Sequence, residues 1–566
     1  MEDEGSQYLK ELFSRSFFQY DIENKHFYVM HNLIHELAQS LTIDECLRIE
    51  EGKKCRFSRK ARHLSLFSIE LEPSLFQEFY RLRRLRTLAL LPGQTPSIIR
   101  IPHQLFTKLR CLRVLLFSGG WLEELPDSIG NLKQLRFLGL FQCNIKELPG
   151  SLSRLYNLQT LRLNQCHRLH KLPRDFRNLI NLRHLEAEPK LVSSIAGIGK
   201  LTSIQQLDTF LVRRDEGYQI SELQHMTELR GKLQITGLEN VTSLEEAKLS
   251  GLKNKPHLRM LELEWNADYG DHEPVLEGLQ PHDDIEYLTI NCYRGVRFPN
   301  WMGNPLFKNL VNISLQKCRK CEFLPPLGQL PYLKTLEIFE MHGVTKVGQE
   351  FFGDGNVKGF PSLEALMFYD LPNWEQWSLV QPGPIFPCLQ KLGIWTCPKL
   401  KELPCLPVQL RDLKVSQAGC ADMMIKSRRS SLHITGCPYL LFLPQDGLNT
   451  IKRLKIKNCE DLTRLPFGDL NNLNSLRRLE ISGCAQLTLF PHQGLPTELK
   501  FLKICDCVNL GSLTGKLLDL LSLRELVIHD CPSLTSLPDE LLTLPNLKKR
   551  NIMNCPNLKP PSSPAS

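Results

Sequence analysis

Several motifs are missing from this 566-residue sequence, and their absence excludes whole classes of function. The GxxxxGK[ST] loop that cradles nucleotide phosphates occurs nowhere, and no apolar strand ends in paired acidic residues ahead of the repeats described below. We therefore predict that this chain alone binds neither ADP nor ATP and needs no cofactor. Nucleotide would be bound only if an upstream nucleotide-binding module were present.

Long apolar runs are missing as well. The longest are far shorter than a membrane span, and Met1 is followed by Glu2, Asp3 and Glu4 rather than by a basic and then apolar signal segment. We therefore expect a cytoplasmic protein with no integral membrane association.

Catalytic and metal-binding constellations are equally scarce. Cys318 and Cys321 have the spacing of zinc ligands, but a structural zinc site needs four ligands and no second matching pair follows. Cys505 and Cys507 fail for the same reason, and the sixteen histidines are scattered without a nucleophile, a base and an orienting acid. We predict no metal site, no catalytic residues and no enzymatic activity.

Nineteen cysteines suggest a disulfide-rich protein until their positions are compared. Ten of them occupy one position of a repeated pattern, once per repeat, so neighbouring repeats would stack the thiols in a buried, reduced ladder. Such a ladder favours a cytosolic protein. Its members are Cys143, Cys166, Cys318, Cys397, Cys437, Cys459, Cys484, Cys507, Cys531 and Cys555.

The pattern that carries these cysteines is LxxLxLxxC, which residues 135–182 show most clearly with a period of about 23–24 residues. Its last two leucines alternate as on a strand and point to one face, and a single coil cannot bury that row alone. The cysteine is small and weakly polar, so it can pack inward and satisfy backbone groups of the turn. We predict an α/β leucine-rich-repeat solenoid, a horseshoe of roughly eighteen coils.

The first 57 residues do not carry the repeat. Apolar spacing predicts an amphipathic helix over residues 8–18, a strand over 27–30 and a second helix over 31–38. A lone histidine at such a strand-to-helix junction, here His31, is more often a packed or capping residue than a ligand.

The strings YLKELFSRSFFQ and FYVMHNLIHELAQSL resemble the end of the winged-helix part of plant intracellular nucleotide-binding leucine-rich-repeat (NB-LRR) immune receptors. There the segment closes with Met-His-Asp, and here with Met30, His31 and Asn32. The resemblance implies that His31 contacts the phosphates of bound ADP in a complete receptor, although the rest of that site is absent from this sequence. Asn32 keeps the size and hydrogen bonding of the family's aspartate but loses its carboxylate.

Longer strings resemble the coiled-coil subclass of the same family, namely LRGKLQITGLENVTSLEEAKLSGLKNKPHLRMLELEW, VLEGLQPH and LPPLGQLPYLKTLEI. The resemblance covers essentially the whole chain and implies the C-terminal portion of a disease resistance protein. We predict a winged-helix remnant at 1–57, N-terminal repeats at 58–205, irregular repeats with loops at 206–284, C-terminal repeats at 285–558 and a disordered tail at 559–566.

The residues between and just after the leucines of each repeat are predicted to line the concave face of the solenoid. Acidic residues dominate this face from position 259 to 370 and basic ones from 391 onward, where like-charged neighbours are unfavourable unless an acidic surface covers them. Exposed aromatic side chains beside charge favour protein recognition. The predicted protein-binding residues are Phe137, Phe141, Trp265, Trp395, Lys452, Arg453, Lys455, Lys457, Arg477 and Arg478.

The family resemblance implies a recognition and autoinhibition region, whose repeats hold a nucleotide switch closed and bind a pathogen effector or a guarded host protein. The expected partners are that effector or host protein and the nucleotide-binding module of the same receptor. The main alternative is a free-standing leucine-rich-repeat adaptor, such as a ubiquitin-ligase substrate receptor, against which the winged-helix remnant argues. Nucleic-acid binding rests on the basic residues alone, and we do not predict it.

Overall fold

The computed structural model describes most of the chain, and its residues form two compact units. Unit 1 comprises residues 1–207 and 216–218, and unit 2 comprises residues 208–215 and 219–566. The described residues are 2–20, 28–50, 57–67, 73–91, 100–120, 122–266, 272–353, 359–378, 386–401, 403–404, 406–407, 410–419, 431–437, 451–463, 465, 475–488, 495–513, 520–537 and 544–559. The predicted disordered tail therefore lies, apart from Lys559, outside the described residues.

Unit 1 begins with a helix, a hairpin and a second helix. Helix α1 (Glu2–Ser14) precedes the antiparallel strands β1 (Phe18–Tyr20) and β2 (Tyr28–Met30), and helix α2 (Asn32–Thr42) follows. The predicted order of helix, strand and helix is confirmed. One additional strand, β1, lies between α1 and β2.

The first helix ends four residues earlier than the predicted residue 18. Ser16 has a left-handed φ of 61°, and the amide of Phe17 donates to the carbonyl of Leu12 at 3.0 Å, which closes the helix C-terminus. Phe18 is thereby released into β1.

The sheet of unit 1 has seven parallel strands in chain order. They are β3 (Cys46–Glu50), β4 (His63–Phe67), β5 (Thr87–Leu91), β6 (Val114–Ser118), β7 (Phe137–Phe141), β8 (Thr160–Arg162) and β9 (His184–Glu186). Because β3 already pairs in parallel with β4, with Leu47 opposite Leu64, this sheet begins before the predicted boundary at residue 57. The return segments contain α3 (Pro73–Phe79), α4 (His103–Lys108) and α5 (Pro189–Val192).

The main sheet of unit 2 has fifteen parallel strands. They are β10 (Thr209–Leu211), β11 (Gly231–Thr236), β12 (Leu258–Glu264), β13 (Tyr287–Asn291), β14 (Asn312–Gln316), β15 (Thr335–Phe339), β17 (Ala365–Tyr369), β19 (Lys391–Cys397), β20 (Asp412–Ala418), β21 (Ser431–Thr435), β22 (Arg453–Lys457), β23 (Arg478–Ser482), β24 (Phe501–Cys505), β25 (Glu525–His529) and β26 (Lys549–Met553). Two short strands, β16 (Lys346–Val347) and β18 (Gln376–Trp377), pair with each other on return segments.

Short helical pieces return the chain between the strands. In unit 2 they include α6 (Leu244–Lys248), α7 (His272–Gly278) and α8 (Gln349–Phe352). Single 3₁₀ turns serve the same purpose in both units: Asp127–Asn131, Gly150–Arg154, Phe176–Asn178, Ile198–Lys200, Ile220–Leu223, Leu238–Asn240, Leu252–Asn254, Asn300–Gly303 and Leu327–Gln329.

The leucine-rich-repeat fold is confirmed, with more strands than the roughly eighteen predicted coils. The two parallel sheets contain 7 and 15 strands among the described residues. Strands β3, β4 and β10 account for most of the difference: the first two precede the first regular LxxLxL string, and β10 has only three residues. The core follows the predicted alternation, as in β17, where Leu366 and Phe368 are fully buried beside Leu363.

At or just after the end of many strands, one residue with a left-handed backbone turns the chain away from the sheet. In twelve of the coils this residue is not glycine and has a φ between 48° and 59°, for example 51° at Glu340 and 56° at Asp370. Its amide donates to a carbonyl of the next strand, for example from Asp370 to Trp395 at 2.9 Å. Glycine occupies this position at Gly436 and Gly483, where a positive φ carries no steric cost.

The repeated cysteine follows directly, and the structure confirms its predicted inward packing. Nine of the ten ladder cysteines are buried free thiols and Cys555 is half-buried. Each thiol lies near the carbonyl oxygen two residues before it, as in Cys397 to Trp395 at 3.3 Å and Cys507 to Cys505 at 3.3 Å. The thiol therefore adds a weak donor to a carbonyl that already accepts a backbone amide from the preceding coil, as the carbonyl of Trp395 does from Asp370.

Candidate protein-recognition surface

The outward-facing residues of unit 2 form three rows across its main sheet. In the five-residue strands from β13 to β25 the second and fourth side chains are buried, and the first, third and fifth alternate with them on the other side. The strand register aligns these positions from coil to coil, so that Phe339 lies opposite Tyr369, and Tyr369 opposite Trp395. We call the outward side of β12–β25 in this sheet the sheet face.

Three aromatic rings stack on the sheet face. The ring centroids of Phe339 and Tyr369 are 4.5 Å apart, and those of Tyr369 and Trp395 are 4.1 Å apart, with interplanar angles of 3° in both pairs. All three side chains are half-buried. Trp395, one of the predicted binding residues, is thus one end of a continuous aromatic ladder, which we define as Phe339, Tyr369 and Trp395.

A glycine makes room for the indole of the ladder. A Cβ atom at Gly393 would lie 1.9 Å from a ring carbon of Trp395 and 2.8 Å from the sulfur of Met367. The Trp395 ring therefore extends back along its own strand across Gly393, where any other residue would force it to move. The same device operates in unit 1, where a Cβ at Gly139 would meet Phe137 and Phe141 at 3.0 Å each.

Phe137 and Phe141 occupy the outward side of β7 in unit 1, as predicted for binding residues. Both are half-buried, and the guanidinium of Arg162 on the next strand lies 5.7 Å from the ring centroid of Phe137. Arg162 also pairs with Glu186 at 2.8 Å. Their role in binding stays a prediction.

Trp265 does not belong to any exposed surface, so its prediction as a binding residue is wrong. It has 1 % of its surface exposed and packs against Tyr293 and His272, with ring centroids at 5.4 and 5.5 Å. The physical reason is the alternation of side chains along a strand. Trp265 follows Leu261 and Leu263 at steps of two, so it points to the same buried side as these leucines.

The acidic and basic regions predicted along the repeats occupy different parts of the sheet face. Its three rows over β12–β17 contain Glu262, Glu264 and Glu337 and no lysine or arginine. Over β19–β24 the cations outnumber the two anions, Asp412 and Glu480. The cations of those rows are Lys391, Lys414, Arg453, Lys455, Lys457, Arg478 and Lys503.

The predicted basic patch is partly neutralised from within, which corrects the expectation that only an external acidic surface could offset it. Glu480 lies directly opposite Lys455 in the register and pairs with it at 3.3 Å and with Arg478 at 2.5 Å. Burial alone would raise the pKa of Glu480, but the hydrogen bond from Arg478 and the charge of Lys455 outweigh it and lower that pKa. Glu498 pairs in the same way with Arg477.

The other predicted cations of this patch remain open to solvent. Lys452 and Arg453 are exposed and Lys457 is half-buried, and no ion pair holds any of the three within the described residues. The patch therefore has three cations without an ion pair, Lys452 just before β22 and Arg453 and Lys457 on it, beside a neutralised cluster, and it keeps a positive excess.

Helix α2 has an orientation that its sequence did not reveal. The side chains of His35, Glu36 and Gln39 face the first strands of unit 1 across a cleft of about 590 Å³, which Cys46, Arg48 and His63 also line. The leucine stripe of the same helix, Leu33, Leu37 and Leu41, is 68, 55 and 77 % exposed, and α2 has no buried residue. The polar residues at this cleft are themselves exposed, and the half-buried positions of α2 are Ile34, Ala38 and Thr42. The leucine stripe of the helix therefore faces solvent although α2 is amphipathic.

His31 precedes α2, at the predicted junction of strand and helix. It is exposed; its amide donates to the carbonyl of Phe17 at 3.1 Å, and its own carbonyl accepts from the amide of His35 at 2.9 Å. These are backbone contacts, and its role toward nucleotide stays a prediction.

One group of possible metal ligands was missed by the sequence analysis. Glu340, His342 and Asp370 place donor atoms within 4.8 Å of one another in the described part of unit 2. They come from adjacent turns, and each is already engaged: His342 with Asp370 at 3.1 Å, and Glu340 with Arg319 at 2.5 Å. The signal in the sequence was the repeated turn position, which carries an acidic residue in both coils.

None of the helices in the described part of the chain combines the length and apolar character needed to cross a membrane.

Comparisons with known proteins identify relatives of both the N-terminal segment and the repeats. Residues 1–38 match the winged helix domain of disease resistance proteins, and residues 220–341 match the R13L1/DRL21 leucine-rich repeats. The second range contains most of the strings on which the subclass resemblance rested. A leucine-rich-repeat protein of Leptospira interrogans has 21 % identity and a TM-score of 0.41, covering 75 % of this chain and 91 % of that structure.

Two proteins of Arabidopsis thaliana show more extensive sequence similarity. A putative disease resistance protein is 38 % identical over 429 residues, covering 71 % of this chain and 30 % of the relative. A putative disease resistance RPP13-like protein is 36 % identical over 572 residues, covering 90 % of this chain and 50 % of the relative. The chain thus spans half or less of the length of these relatives.

Proposed function

Since the chain belongs to the plant nucleotide-binding leucine-rich-repeat disease resistance family, we propose that it is the recognition and autoinhibition region of an intracellular immune receptor. Its sheet face binds a pathogen effector or a guarded host protein, and its N-terminal segment docks on the nucleotide-binding module. The role is recognition rather than catalysis, in the cytoplasm, where the buried free thiols of the ladder would persist.

The single observation that supports the autoinhibition half of the proposal is the exposed leucine stripe of α2. Nine of the twenty-one exposed large hydrophobic side chains of the described residues lie within the first 43 residues, and the leucine stripe is the most exposed group among them. Contiguous exposed apolar surface is rare on monomers and marks an interaction site. The winged-helix similarity of residues 1–38 makes the nucleotide-binding module the partner with the strongest case.

The recognition half is supported by the sheet face. The aromatic ladder is rigid and half-exposed, and charged rows flank it on both sides. Aromatic anchors surrounded by polar groups are typical of protein interfaces. A free-standing adaptor would use the same surface, but it would have no use for an exposed leucine stripe on a winged-helix segment.

Binding of the nucleotide-binding module tests this proposal. The module of the RPP13-like relative, expressed separately, should associate with the 566-residue chain in a pull-down, and titration of the labelled module gives the dissociation constant. Leu37→Glu combined with Leu41→Glu should weaken the association at least about tenfold, because charge would be buried against an apolar partner.

Leu521 supplies the matched control, because it is a leucine of unit 2 that is 59 % exposed and lies on a return segment away from α2 in sequence. Leu521→Glu should leave the association unchanged. No association of the unmodified chain, or equal loss in the Leu37→Glu, Leu41→Glu variant and the Leu521→Glu variant, would remove the basis for autoinhibition through α2. Calorimetry with ADP and ATP on the chain alone checks the separate prediction that it binds neither nucleotide.

A further inference from the structure

The aromatic ladder is a preorganised contact surface whose side chains have little conformational freedom. Each ring is clamped by its neighbour in the stack, and Trp395 is held across Gly393. A side chain that is already ordered costs little conformational entropy when a partner binds, so such rings contribute more affinity than mobile ones. Tyr369 also lies beside Glu337, and burial together with that carboxylate raises the pKa of the Tyr369 hydroxyl.

The ladder lies where the sheet face changes sign. Phe339 and Tyr369 belong to β15 and β17, in the part whose rows carry only acidic charges, whereas Trp395 belongs to β19, where Lys391 begins the basic part. This position follows from the register and is therefore independent of how the charged side chains rotate.

Internal ion pairs and hydrogen bonds engage some of these charges, but charges of both signs are left without an ion pair among the described residues. Glu262 pairs with Lys232 at 3.3 Å, and Glu264 accepts hydrogen bonds from Gln234 and Asn291 at 3.0 Å. Glu337 has no ion pair within the described residues, and neither has Lys457. Five strand steps separate β15 from β22, which corresponds to about 24 Å along the sheet.

The charge division selects among possible partners. A uniformly acidic partner, including a nucleic acid, would meet like charge over β12–β17, and a uniformly basic partner would meet it over β20–β24. Like-charge contacts across an interface are destabilising and suppress wrong partners. Only a partner whose charges are separated along its length avoids both conflicts while covering the ladder.

We propose that the sheet face binds a charge-segregated polypeptide segment that runs across the strands. Its basic part lies over β12–β17, an apolar or aromatic side chain contacts the aromatic ladder, and its acidic part lies over β20–β24. A span of about 24 Å corresponds to roughly seven extended residues. This inference rests on the proposed recognition function and specifies the chemistry of its partner.

Two labelled peptides of identical composition provide the test. The block peptide KKKGFGEEE carries separated charges, and the alternating peptide KEKGFGEKE carries the same residues in mixed order. Fluorescence anisotropy with the 566-residue chain at an ionic strength of about 20 mM should show at least about fivefold tighter binding of the block peptide, with the difference shrinking at about 300 mM.

Variants on the sheet face locate the binding. Glu337→Lys and Lys457→Glu should each weaken binding of the block peptide at least about threefold, because each reverses one unpaired charge. Trp395→Leu should weaken binding of both peptides, because the phenylalanine loses its stacking surface. Lys308→Glu is the matched control: Lys308 is exposed on a return segment outside the three rows, and its reversal should change nothing.

The proposal is overturned if the two peptides bind equally, if neither binds at about 1 mM, or if oligothymidylate binds more tightly than the block peptide. Equal effects of Glu337→Lys, Lys457→Glu and Lys308→Glu would contradict it as well. Circular dichroism of each variant separates a lost contact from a lost fold. The outcome is independent of the leucine-stripe experiment, since α2 does not belong to the sheet face, so each hypothesis can fail alone.

Discussion

The N-terminal segment up to α2 and the repeats of unit 2 show similar amphipathic patterns, yet they bury them in opposite ways. In β17 the two leucine-type positions, Leu366 and Phe368, are completely buried, whereas α2 buries no residue at all. A repeat always has a neighbouring coil with a matching row of apolar side chains. Among the described residues, helix α2 has no such neighbour for its leucine stripe. The comparison shows that an apolar pattern predicts burial only where a partner surface is present.

The largest expected effect comes from truncating one leucine in each region, which tests this difference in burial. Leu366→Ala should lower the free energy of unfolding by about 2–5 kcal/mol, because it leaves a cavity in a packed core. Leu37→Ala should change it by less than about 0.5 kcal/mol, because the side chain is already exposed. Urea denaturation followed by circular dichroism measures both, and equal shifts of the two midpoints would contradict the comparison.

A buried cation tests the same contrast from the polar side. Lys255 is fully buried in unit 2, where its Nζ donates to the carbonyls of Leu223 and Met226 at 2.6 and 3.1 Å, and burial lowers its pKa to about 8. The unfolded lysine keeps a pKa of about 10.4. Between these values the unfolded state binds more protons than the native state, so stability rises with pH across this window.

The unmodified chain should therefore gain up to about 3 kcal/mol relative to Lys255→Met as the pH rises from about 7 to above 10. Urea midpoints at several pH values measure this difference. Parallel pH dependences of the two proteins would show that the ammonium group is not disfavoured in the native state.

Thiol reactivity extends the comparison to the cysteine ladder. Burial raises the pKa of Cys397 and Cys507 to about 12, while Cys111 and Cys388 are exposed. Because the thiolate is the reactive form, the thiols of Cys397 and Cys507 should react with Ellman's reagent at least about tenfold more slowly than those of Cys111 and Cys388. Under denaturing, non-reducing conditions the total should approach the nineteen cysteines of the sequence. Several missing thiols would instead indicate disulfides.

The smallest expected effect concerns the left-handed turns between coils. Thr396 has a φ of 54°, which is unfavourable for a β-branched residue. Thr396→Gly should raise the urea midpoint, with a gain of about 0.5–1 kcal/mol, because glycine adopts this conformation without steric cost. Thr435→Gly, in the extended strand β21, should have the opposite effect. A loss of stability in both variants would contradict the strain at Thr396.

The repeats were predictable because their information is local. The LxxLxL spacing indicates both the strand and its buried side, and the ladder position of Cys397 follows from the same count. The same two-residue alternation places Trp265 on the buried side with Leu261 and Leu263, so its prediction as an exposed residue did not follow from the pattern. The bridging of Lys455 and Arg478 by Glu480 could not be predicted in the same way, because it depends on the register between coils.

The orientation of α2 could not be predicted from its sequence. Its periodicity indicates an apolar side at Leu33, Leu37 and Leu41, and every such side is ordinarily assumed to face the core. Which side of a helix is covered depends on contacts with residues distant in sequence, and here the half-buried positions are Ile34, Ala38 and Thr42.

Hydrogen exchange of the 566-residue chain, alone and with the nucleotide-binding module used in the association experiment, tests the central claim most directly. The account predicts that the amides of α2 exchange at least about a hundredfold faster than those of β17 in the isolated chain, because no packed neighbour holds the helix. It also predicts that the added module slows α2 and leaves β17 unchanged. An α2 already as protected as β17 in the isolated chain, or one unaffected by the module, would contradict the account.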